Sequence, residues 1–60
     1  MKSVEKQMED MIHLLAESLV DANKHGAGNN AAGGRVRKVL QTVATKCKEL
    51  RKQVQEERNA

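Results

Sequence analysis

Residues 36–54 read VRKVLQTVATKCKELRKQV, and within them Val36, Leu40, Val43, Cys47, Leu50 and Val54 recur at steps of four, three, four, three and four. Side chains return to one side of an α-helix every 3.6 residues, so this rhythm predicts a helix with a single apolar seam. The intervening Lys, Arg, Gln, Glu and Ala are good helix formers, and no period-two alternation supports a strand. Upstream, Met1, Val4, Met8, Met11, Leu15 and Ala22 keep the same rhythm, broken at Ser18 and widened by Ile12, Leu14 and Leu19. Between the two lies a glycine- and asparagine-rich stretch, Gly26 to Gly34. The expected fold is therefore all-α, one domain over residues 1–60, with a helix over 3–25, a loop over 26–30 and a helix over 31–58.

The ends agree with this division. Ser3 suits an N-cap, Lys24 and His25 suit the negative end of the first helix, and Gly26 suits the left-handed position beyond it. Asn29 or Asn30 can cap the second helix, whose first turns then hold Gly33 and Gly34. Each glycine in a helix interior costs about 0.8–1 kcal/mol relative to alanine. Either the helix starts nearer Arg35, or something approaches the backbone closely there.

A short loop makes the helices antiparallel neighbours. Leu19 with Val36, Leu15 with Leu40, Ile12 with Val43, Met8 with Cys47 and Met1 with Val54 have numbers adding to 55, which is the expected register. Met11 and Leu50 complete the candidate core and dimer set. The apolar arc of the first helix, about 160° from Leu14 through Val4 to Ile12, is wider than a two-helix seam requires. With 60 residues and no Phe, Tyr or Trp, a lone hairpin has little apolar surface to bury, so the expectation is a homodimer forming a four-helix bundle.

Charge divides the chain. Residues 1–25 carry three lysines against five acids, a balance of −2, whereas residues 26–60 carry eight Lys or Arg against three glutamates, a balance of +5. On a helical wheel Arg37, Lys38, Lys48, Arg51 and Lys52 fall away from the seam of the second helix, and Arg35 extends the group at its N-terminal end. Such a cationic stripe suits a polyanion, because phosphates neutralised by Lys or Arg release condensed counterions. Asn29, Asn30, Gly33, Gly34, Arg35, Arg37 and Lys38 together form a candidate phosphate-contacting corner at the start of a helix. It is not a nucleotide-binding loop: Gly33 is followed by Gly34 and Arg35, where that motif needs Lys and then Ser or Thr.

Other functions find little support. His13 and His25 have no companion ligand at metal spacing, so neither a metal nor another cofactor is expected. Catalysis is not expected either, since no nucleophile, base and orienting group are grouped and a hairpin offers little concavity for a small-molecule substrate. The single cysteine, Cys47, is read as a small seam hydrophobe and points to a reducing, cytoplasmic compartment. No stretch has the ~20 apolar residues of a membrane span, no export signal is visible, and membrane partners are not expected. Without aromatic rings for base stacking, backbone contact to duplex is the natural mode.

The stretch Ala27-Gly28-Asn29-Asn30-Ala31-Ala32-Gly33-Gly34-Arg35-Val36-Arg37-Lys38 resembles the signature of the bacterial linker-histone-like proteins known from chlamydiae and Bacteroidetes, in which K-G-N-K-A-A-[AG]-x-R-x-R-K joins two helices. Gly28, Asn29, Ala31, Ala32, Arg35, Arg37 and Lys38 agree with it, while Ala27 and Asn30 stand where that family has lysines. The resemblance implies a nucleoid-associated, DNA-condensing protein that binds double-stranded DNA without sequence preference and associates with itself. The expected DNA-contacting set is thus Asn29, Gly33, Gly34, Arg35, Arg37, Lys38, Lys48, Arg51 and Lys52. The alternative is a small helical adaptor whose apolar arc accepts a partner helix and whose cations only confer solubility.

Overall fold

A computed structural model describes residues 2–60; the expected pairing of Met1 with Val54 lies outside them. The chain forms two helices, α1 (Val4–Gly26) and α2 (Asn30–Arg58), packed antiparallel into a rod of 48 × 15 × 14 Å.

Local chemistry accounts for each terminus. The Ser3 hydroxyl accepts the Lys6 amide at 3.0 Å and starts α1. At its other end the Gly28 amide donates to the His25 carbonyl and the Asn29 amide to that of Lys24, with Gly28 at φ 99°. This pattern of paired bonds around a left-handed residue closes the last turn, and only glycine adopts that backbone without strain. The left-handed position is therefore Gly28, two residues beyond the expected Gly26, which stays in the helix. Asn29 serves both helices at once. Its amide caps α1, and its side-chain Oδ1 accepts the Ala32 amide at 3.0 Å to start α2.

Gly33 and Gly34 both lie inside α2, so the helix does not start at Arg35. For Gly33 the cause is close approach: a Cβ there would sit 2.6 Å from Nδ1 of the His25 ring, which folds across the start of α2. Around Gly34 a Cβ would meet nothing within 4 Å. Gly34→Ala is therefore expected to stabilise the fold by about 0.8–1 kcal/mol, seen as a rise of roughly 4–8 °C in the thermal midpoint. Gly33→Ala must displace His25 and should gain little; an equal rise for both would mean that the ring contact is unimportant.

The two helices meet along Val4, Gln7, Met11, Leu14, Ser18 and Asp21 on α1 and Ala32, Val36, Val39, Val43, Leu50 and Gln53 on α2, all buried or half-buried. Of the candidate core set, Met11, Val36, Val43 and Leu50 belong to this seam. Met8, Ile12, Leu15, Leu19, Leu40 and Cys47 do not; they are exposed. Leu15 and Leu19 nevertheless border one depression with Leu40 and Val36, and Met8 another with Cys47, so these expected partners stay near the same level of the rod, while side-chain bonds join Gln7 to Gln53 and Asp21 to Arg35. A two-helix contact covers only one stripe of each partner. The apolar arc of α1 is wider than that, and the half that closes the hairpin is the one whose polar members can be satisfied. Ser18 donates to the Leu14 carbonyl at 2.8 Å, Asp21 pairs with Arg35, and the Gln7 and Gln53 amides share the Lys2 carbonyl.

The resulting core is thin. Among the described residues only Ala32 and Leu50 are buried hydrophobics, joined by Gln53, whose amide also donates to Glu57 at 2.9 Å.

Candidate nucleic-acid interface

The hairpin has four distinct sides. Its outer α2 side carries Arg37, Lys38, Lys48 and Lys52, all exposed, spread over about 22 Å at 1.5 Å per residue. Lys48, Arg51, Lys52 and Gln55, on successive turns, border one shallow depression. Arg51 stands where this side meets an apolar flank. Among the described residues, none of these five cations is in an ion pair. The nearby Thr42 and Thr45 hydroxyls donate to the carbonyls of Lys38 and Gln41 at 3.1 Å, so they are turned back on the helix. The cations are exposed and unpaired among the described residues, with Glu49 and Glu56 bordering the same depression as Lys52.

The corner at the start of α2 is assembled differently from the expectation. Asn29 is occupied as a cap, and Gly33 lies beneath His25. The Arg35 guanidinium donates to Asp21 Oδ1 at 3.0 Å, tying the two helices together near the turn. Gly34, Arg37 and Lys38 remain open to solvent. Asp21 was not among the expected site residues. Its position one turn from Ser18 on the seam was the available signal. Lys46 and Arg58 are further cations outside the expected set: Lys46 borders a polar flank with Lys2 and Asp10, and Arg58 borders the apolar flank.

The Arg35 hydrogen bond holds the Asp21 carboxyl below the usual aspartate range, and Arg35 itself is raised by the same contact. Asp10 is likewise lowered, first by the Lys6 hydrogen bond and then by the nearby charges of Lys6 and Lys2, at 3.2 and 3.7 Å. A carboxyl depressed in the folded state contributes stability that is present above its unfolded value and lost as pH falls through the folded value. The wild-type hairpin should therefore weaken below pH ~4. Arg35→Ala is expected to lower the thermal midpoint at neutral pH and to flatten this acid dependence, as read by circular dichroism. Equal acid sensitivity in both proteins would remove Arg35 from the account.

A rod-shaped helical hairpin with one cationic side defines a small basic helical module. The sequence matches the family model described as Histone H1-like protein Hc1 over residues 5–60, and the chain belongs to that family, which points to a DNA-binding nucleoid protein. Comparison with curated proteins gave no match, and comparison with solved structures gave none. No helix of the described residues is long and apolar enough to cross a membrane.

Proposed function

We propose that this chain binds double-stranded DNA without reading bases, through phosphate contacts from the outer face of α2, and that it acts as a homodimer in the nucleoid to compact DNA. The observation that carries the reading is the exposed strip of Arg37, Lys38, Lys48 and Lys52, with Arg51 at its edge, free of carboxylate partners on a rigid helix. The absence of aromatic residues argues for backbone contact rather than base stacking. Self-association is supported by the thin core and by the exposed Met8, Ile12, Leu15, Leu19 and Leu40, which are between 39% and 67% accessible on the hairpin.

Fluorescence anisotropy with several unrelated duplexes at ~50 mM salt tests the reading. With about four phosphates met per basic face, log K should fall with log[salt] at a slope near −4. Failure to bind, or strong preference for one duplex, would refute it.

A further inference from the structure

Most of the exposed large apolar residues line one flank; Ile12 and Val20, 64% and 61% accessible, border neither part of it. Val4, Met8, Met11, Cys47, Leu50 and Val54 border one part of it, and Leu15, Leu19, Ala22, Val36 and Leu40 border the rest. The opposite flank is mainly polar, bordered by Lys2, Asp10, Thr42, Lys46, Glu49 and Glu56, with Met11 and Leu14 reaching it from the seam and Lys52 from the basic side. Building on the proposed DNA-binding homodimer, we infer that a second copy covers the apolar flank about a twofold axis parallel to the helices. Each α1 then lies over the partner's α2, and the two basic faces point in opposite directions, so that one dimer holds two duplexes side by side.

Only two twofold axes bring the same flank of two rods face to face. One runs parallel to the helices; it crosses α1 over α2 of the other copy and keeps both turns at the same end. The other lies in the interface perpendicular to the helices; it stacks α1 on α1 and α2 on α2 and puts the turns at opposite ends. Charge separates them. The first 25 residues carry −2 and the remainder +5, so stacking α2 on α2 opposes like charges, whereas crossing opposes unlike ones.

Individual residues sharpen the choice. At 100° per residue, Glu5 lies just beyond the apolar stripe of α1 and Glu9 about 40° farther round toward its outer side, while Arg51 and Arg58 border the stripe of α2. All four are exposed, and among the described residues none is ion-paired within the hairpin. Because the helices are antiparallel, both pairs sit at the open end of the rod. The parallel axis brings the glutamates of each copy to the level of the other's arginines. The perpendicular axis carries them to opposite ends.

The decisive measurement needs no DNA. Ala27→Cys in a Cys47→Ala background places one spin label on the exposed turn of each copy. The parallel axis predicts an interlabel distance on the order of 20 Å, since packed helices sit about 8–10 Å apart. A separation approaching the 48 Å length of the rod, or a chain that stays monomeric by sedimentation, would overturn the arrangement. Glu5→Arg with Glu9→Arg should raise the dimer dissociation constant about tenfold at low salt. Adding Arg51→Glu and Arg58→Glu should restore it, and failure to restore counts against the pairing. Last, an immobilised duplex coated with the dimer should retain a second, fluorescent duplex. Binding of the first without capture of the second would refute the two-sided geometry. If no duplex binds at all, the proposed function fails, and the label distance still decides the dimer.

Discussion

Replacing Arg37, Lys38, Lys48 and Lys52 together by glutamine is expected to reduce duplex affinity by about 10³ at ~0.1 M salt and to flatten the salt slope by about 3.6, as four phosphate contacts are lost at about 0.9 each. All four side chains are exposed and none is ion-paired within the described residues, so helicity and oligomeric state should not change. The loss should be the same for every duplex sequence, because nothing in the variant alters base readout. Anisotropy titrations at three salt concentrations measure it. Affinity within a few-fold of wild type would move the DNA contact to another side of the molecule. A loss accompanied by unfolding would mean that these cations support the helix instead.

The second large effect concerns side chains that look dispensable on the isolated hairpin. Leu15 and Leu19 are 39% and 67% accessible, so their replacement by aspartate would cost a free-standing hairpin little. Within a dimer that covers the flank, each buried leucine contributes about 2 kcal/mol, and four are lost per dimer. Since, among the described residues, the hairpin's own buried hydrophobics are only Ala32 and Leu50, dissociation should also unfold it. Leu15→Asp with Leu19→Asp is therefore expected to abolish most of the helical signal at micromolar concentration. A folded monomeric variant would show that the seam suffices without a partner.

Much of the hairpin was legible in its sequence. The 4-3 rhythm from Val36 to Val54, the caps Ser3 and Asn29, and the glycine-rich break gave two helices with ends close to those observed. The segregation of cations onto the outer side of α2 was equally legible, because a helical wheel needs only residue numbers. The rotation of α1 about its own axis was less so. Its apolar arc offered two usable stripes, and choosing between them depended on polar bonds over long separations, Gln7 with Gln53 and Asp21 with Arg35. The same limit explains Arg35. As a sequence position it continues the basic stripe, but its guanidinium lies within reach of a carboxylate fourteen residues earlier.

Sequence alone determined the number of helices, the approximate extent of each, and the sign of the charge on each, since these follow from local backbone preference and 3.6-residue periodicity. Tertiary structure decided which half of the α1 arc closes the hairpin and which is left as a greasy flank, and which cation is spent on an internal ion pair. It also placed the His25 ring across Gly33, so that a side chain there would have to displace it. Those outcomes depend on distances between residues far apart in the chain, and no local pattern encodes them.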